Sequence, residues 1–232
     1  VLPPPKFAPQ PATRQVAFSG PPIQEKRRYG DAGAPFAIGM GGAFRFRSDP
    51  GYKKLHAGDH QTELDIFASY DVYQPVRAIV IAAGLNYRNA QLGDDQVVTL
   101  TTNNIQAELI ARYTLTTFLF PHIRAGLGAQ LSRIDLEDPT GQFSAHDHSA
   151  SASGSIGGGL TIQTPRRLFE TRRGRLASLS VGILVEGGYA FAAAASYHLK
   201  VSSDSDLADS QIALGKLDLG GPYLRVIGVV RF

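Results

Sequence analysis

Phe36-Ala-Ile-Gly-Met-Gly-Gly-Ala-Phe-Arg-Phe-Arg47 is the stretch that decides the fold. Phe36, Ile38, Met40, Gly42, Phe44 and Phe46 alternate with Ala37, Gly39, Gly41, Ala43, Arg45 and Arg47, so one face is apolar and the other is small, then cationic. A period of two belongs to an extended strand, whose successive side chains point to opposite faces. The glycines at 39–42 form no phosphate loop, because no helix follows them.

Working outward, the same alternation returns at 62–73, where Leu64, Ile66, Ala68, Tyr70 and Val72 oppose Glu63, Asp65, Ser69 and Asp71. It recurs at 79–88, 104–113, 122–132, 149–162 and 179–191, and last in Leu224, Val226, Gly228, Val230 and Phe232 against Tyr223, Arg225 and Arg231. Eight strands are predicted. Their links alternate: 48–61, 135–148 and 192–214 are long, 74–77 and 116–119 short, 89–96 and 165–175 intermediate. Outer-membrane barrels have short periplasmic turns and longer extracellular loops. Starting the first strand in the periplasm puts every long link outside and both termini inside. Aromatics gather near strand ends, with Phe44, Phe46, Tyr87, Tyr189 and Phe191 at one level and Phe36, Phe118, Phe120 and Phe232 at the other. Two such girdles are expected at the two bilayer interfaces.

Composition narrows the classes. Hydrophobic residues make up 43% and charged residues 19% of the 232 positions, which excludes disorder for most of the chain. No apolar run approaches the ~18 residues a membrane helix needs; Ala78 to Leu85, for example, has eight. Strands of a barrel need only about 9–11 residues each. The absence of cysteine excludes disulfides and thiolate metal sites. A net charge of +3 is too mild to imply a nucleic-acid partner, and none is expected. Val1 reads as a processed or trimmed start, with any export signal already removed. A soluble lipocalin-like barrel also alternates, but with its apolar face inward. Here the polar face carries Gly, Ser and Ala with isolated charges, which suits a narrow interior. The fold class expected is all-β, an eight-stranded antiparallel transmembrane β-barrel over residues 34–232.

Eight of the fourteen prolines lie in the first 35 residues. Residues 1–33 read as an extended, polyproline-like periplasmic tail that cannot bury a core. The tail is expected to be held against the periplasmic mouth or another subunit, with Lys26, Arg27 and Arg28 near phosphates or carboxylates.

The final segment, Gly221-Pro-Tyr-Leu-Arg-Val-Ile-Gly-Val-Val-Arg-Phe232, ends on Phe with apolar residues at alternate positions. It resembles the C-terminal assembly signal of Gram-negative outer-membrane proteins, carried here by Tyr223, Leu224, Val226, Gly228, Val230 and Phe232. With His122-Ile-Arg-Ala-Gly-Leu-Gly-Ala129 and Gly157-Gly-Gly-Leu-Thr-Ile162 it is similar to the OmpA/OmpW-like small barrel superfamily. The resemblance implies a fold, a location in the Gram-negative outer membrane and recognition by the barrel-insertion machinery, not a substrate. The proline-rich extension departs from that family's usual pattern.

The polar face predicts a lumen lined by Arg45, Arg47, Glu63, Asp65, Asp71, Arg88, Glu108, Arg112, His122, Arg124, Glu186, Arg225 and Arg231. Eight strands enclose a space just wide enough for side chains to fill. Charges of mixed sign buried there must pair, so a salt-bridge plug is expected rather than an ion path. No catalytic constellation stands out. The serine run 149–155 lacks a nucleophile elbow, and Glu63/Asp65 are ordinary same-face neighbours. Arg166, Arg167, Arg172, Arg173 and Arg175 form a basic periplasmic turn suited to lipid phosphates or an acidic protein partner. His56, His60, His146 and His148 sit in stretches read as outer loops; with nearby carboxylates they suggest a weak metal site, although solvated loops carry such residues anyway. No cofactor is expected. The leading expectation is a structural and interaction barrel, anchoring an envelope complex through its tail or displaying loops among outer-membrane lipids and lipopolysaccharide. The alternative is a narrow channel for small or hydrophobic molecules, as the OmpW-like resemblance implies.

Overall fold

The computed structural model describes residues 35–47, 49, 60–76, 78–94, 98–137, 144–164, 179–202 and 211–232. Its strands are β1 (Phe36–Phe46), β2 (His60–Val76), β3 (Ile79–Asp94), β4 (Val98–Tyr113), β5 (Leu119–Glu137), β6 (Ser144–Gln163), β7 (Ser180–Ala192), β8 (Ala195–Ser202), β9 (Gln211–Leu217) and β10 (Gly221–Arg231). Neighbours pair antiparallel, and the β5–β6 pairing closes the ring through β7 and β10 back to β1. β8 and β9 add no staves to this ring. β8 follows β7 and pairs with the far end of β6, while β9 pairs with β8 and leads into β10. The eight strands are therefore present, two of them interrupted, and 192–214 holds a hairpin where a loop was expected.

Closure requires tilt. Hydrogen-bonded partners run from Ala37 through Ser69, Gly84, Glu108, Gly126, Ser155 and Ala190 to Gly221. Ala37 itself pairs with Arg231, at the opposite end of β10. That stagger is the shear that a closed sheet of tilted strands must have.

The alternation sorts by polarity in the inverse of a soluble barrel. Met40, Leu85, Leu109, Ile123, Leu127 and Ile156 face outward, each 60–70% exposed, while Arg, Asp, Glu, Asn and Gln are buried inside. Exposed apolar surface on this scale requires lipid as its solvent. No helix among the described residues is long and apolar enough to cross a membrane. At the mouth that holds both barrel ends, Phe36 packs edge-on against Phe232, 5.1 Å between centroids, with Tyr70, Tyr113 and Phe118 exposed nearby. Towards the far mouth stand Phe44, Phe46, Tyr189 and Phe191. Phe120, expected in a girdle, instead turns inward and packs on Val80, because its position in β5 has the parity of His122 and Arg124.

Beyond the far girdle the pattern inverts. Leu92, Leu100, Ile134 and Ala145 point inward and join Ala195, Tyr197, Leu217 and Leu219 in a buried apolar cluster. The outward positions there are Thr101, Asn103, Arg133 and Asp135. Tyr87 and Asn89 both donate to Asn103 Oδ1, at 2.7 and 2.8 Å, at the level of the change. Strands apolar outside and polar inside thus become polar outside and apolar inside, as leaving the bilayer for water demands. Burial pushes the Tyr197 phenol above its ordinary range, and its O–H donates to Ser132 Oγ at 2.5 Å. The segments 89–96 and 135–148, expected as links, are largely strand for this reason.

This boundary makes a prediction. Leu127→Arg places a cation near mid-bilayer and should cost ~2–4 kcal/mol, whereas Thr101→Arg, beyond the boundary, should stay within ~0.5 kcal/mol of wild type. Urea unfolding in lipid vesicles separates the two. Equal losses would show that the boundary is misplaced.

Candidate functional site in the lumen

Every charge assigned to the lumen lies on an inward position and is buried, seven arginines and five carboxylates together with His122. The centre is Glu186 on β7, fully buried. Its Oε2 accepts from Arg225 Nη2 at 2.8 Å and lies 3.0 Å from His122 Nε2. Its Oε1 accepts from Arg124 Nη2 and from the Tyr223 hydroxyl, both at 2.7 Å. Arg225 reaches on to Asp65 at 3.2 Å, and Arg124 bonds Glu108. Arg88 stands 3.3 Å from Asp65, with its guanidinium 5.1 Å from the centre of the Tyr223 ring. Asn86 donates to Asp65 Oδ1 at 2.5 Å.

Two further groups flank this centre. Towards the far mouth, Arg45 grips Glu63 through Nε and Nη2, both at 2.8 Å, and also donates to the Leu219 carbonyl. Arg47 bonds Gln61 and the Gly220 carbonyl. Arg45 of β1 and Arg47, just past its end, thereby hold the segment that joins β9 to β10. Towards the terminal mouth, Arg112 bonds Asp71, and Arg231 lies 3.7 Å from the same carboxylate. Some pairs are register neighbours, such as Glu186 with Arg225 and Asp65 with Arg88. Others, such as Arg124 with Glu186 and Arg225 with Asp65, join strands that are not adjacent.

Tyr223 is the network residue that sequence reasoning did not single out. The alternation set it on the polar face with Arg225 and Arg231, and it faces inward there, while Leu224, Val226 and Phe232 of the terminal segment face outward, and Gly228 and Val230 share their parity. The parity of β10 carried that information. Small residues make the room: a Cβ at Gly157 would collide with the Tyr223 hydroxyl, and one at Gly188 would stand 2.7 Å from it. The serine run is also structural, since Ser155 donates to Gln106 Oε1 at 2.7 Å and Gln106 reaches Ser153.

The remaining assignments divide. The tail 1–33 and the basic turn Arg166, Arg167, Arg172, Arg173 and Arg175 lie outside the described residues, as does His56. His60 opens β2, and His146 and His148 stand exposed on β6 with ring centroids 6.1 Å apart. Asp147 is engaged otherwise, accepting the backbone N–H groups of His148 at 2.8 Å and His198 at 2.7 Å. Among the described residues no group of three or more candidate ligands comes together.

No protein-family model and no curated protein matches the sequence. Among solved structures, Neisserial surface protein A superposes with a TM-score of 0.50 at 12% identity, over 85% of this chain and 97% of that one. The fold is that of a small outer-membrane β-barrel. The small-barrel fold that the OmpA/OmpW-like resemblance implied is therefore present. The outer membrane protein OprG from Pseudomonas aeruginosa matches the barrel with a TM-score of 0.44 at 15% identity, over 88% of this chain and 97% of that one. Ail, the attachment invasion locus protein of Yersinia pestis, matches with a TM-score of 0.42 at 10% identity, over 85% and 99%.

Proposed function

We propose that this barrel is a closed structural and interaction protein of the Gram-negative outer membrane rather than a conduit. The observation that carries this reading is the bonded sequence Arg45–Glu63, Arg88–Asp65–Arg225–Glu186–Arg124–Glu108 and Arg112–Asp71 across the lumen, topped by the apolar cluster around Leu100 and Ile134. An ion crossing it would have to separate buried pairs and then enter an apolar cap, both unfavourable in a low-dielectric interior. With the lumen spent on stability, what remains for function is the two ends. The reading places both termini in the periplasm, with the tail 1–33 and the basic turn available to an envelope partner or lipid phosphates. The β8–β9 cap and neighbouring loops then project among lipopolysaccharide. Planar-bilayer recording of the purified barrel tests it. No discrete conductance steps are expected; reproducible single-channel openings would favour a narrow channel instead.

A further inference from the structure

Between the central network and the Asp71–Arg112 pair lies a small chamber with a mixed wall. Ala37, Phe67, Ile110, Leu184 and Val229 give it apolar surface, and Arg112, Arg124 and Arg225 are among its polar lining. Each of these three arginines keeps a buried Nε–H with no hydrogen-bond partner among the described residues. The carboxylate on the wall, Glu186, cannot answer them, because both its oxygens already bond Arg124, Arg225, His122 and Tyr223. Buried donors without acceptors are unfavourable, and guanidinium groups call for anionic acceptors above neutral ones. The chamber is too small for an organic acid.

We propose that it holds a single halide ion, chloride under ordinary conditions, bound by the guanidinium groups of Arg112, Arg124 and Arg225. The ion adds one negative charge to a chamber lined by arginines from β4, β5 and β10. It is spherical and donates no hydrogen bond, so the apolar residues of the wall are no hindrance. Binding to the folded barrel alone makes stability depend on the ion: above the dissociation constant, each tenfold rise in halide raises the folding equilibrium constant about tenfold.

Crystals grown with bromide in place of chloride test this directly. An anomalous peak is expected in the chamber at hydrogen-bonding distance from one or more of the three guanidinium groups. It should be absent from Arg112→Gln, and also from Ser69→Leu, which fills the chamber while leaving the arginines in place. In solution, the urea midpoint should rise with chloride over gluconate at constant ionic strength for wild type but not for Ser69→Leu. Bromide confined to surface cations with water in the chamber, or a midpoint indifferent to halide in wild type, would overturn the proposal.

Discussion

Replacing Glu186 with alanine should destabilise the barrel by about 3–5 kcal/mol, the loss typical of removing one partner from a buried charge pair. The carboxylate is fully buried and receives two guanidinium groups, a phenol and an imidazole. Its removal leaves Arg225 with Asp65 and Arg124 with Glu108, two cations facing one another across the space the carboxylate filled. Glu186→Gln keeps the shape and one acceptor oxygen but not the charge, so it should fall between alanine and wild type. Unfolding in vesicles, read by circular dichroism and by the gel mobility of the unheated protein, measures the series. A loss below about 1 kcal/mol for alanine would show that the lumen solvates its charges with water and that the network contributes little.

A double-mutant cycle distinguishes network from pair. Arg124→Gln alone should be destabilising, yet less so in the Glu186→Gln background, because interacting neighbours are not additive. Coupling between these non-adjacent strands is what a plug requires and a set of independent ladder pairs does not.

The inward residues were legible in the sequence because a period of two fixes each side chain's face once one strand is oriented. Arg45 and Glu63, Arg88 and Glu108, Arg124 and Glu186 all follow from parity. Their partners did not, since pairing across the lumen depends on the shear, which sets the height of each strand's charge against the others. The terminal Phe likewise marked the barrel's end but hid the role of Tyr223, which shares its segment and not its face.

The cap was missed for a different reason. In β5 the apolar residues occupy Ile123, Leu127 and Leu131, then switch to Ile134 and Leu136; in β4 they switch between Leu100 and Ile105. The ladder continues through both switches without a register shift. A change of phase in hydrophobicity looks, in a single sequence, like the end of a strand. Physically it is the strand leaving lipid: each side chain keeps its direction, and the solvent outside changes. The alternation therefore reports the environment as well as the conformation, and its phase is informative only where the solvent is known.

Closeness of strands, rather than charge, governs the last expected result. A Cβ at Gly128 on β5 would overlap the carbonyl oxygen of Ile105 on β4 and stand 2.7 Å from the Gln106 Cα. Both are backbone atoms within the β4–β5 ladder, so no side-chain rotation relieves the clash. Gly128→Ala must part the two strands locally or twist one away. That should cost ~2–3 kcal/mol, the upper end of ordinary overpacking, with Gly128→Val costing more and failing to reach the folded, heat-modifiable form. Gly42 provides the control: its Cβ would have nothing nearer than the Glu63 carbonyl oxygen at 3.9 Å, on the outward face. Gly42→Ala should therefore be neutral within ~0.5 kcal/mol. If both alanine variants assembled and unfolded like wild type, the close approach at Gly128 would be absent in the bilayer. The strands would then stand farther apart there, and the lumen around Gln106 would be wider than a plugged barrel allows.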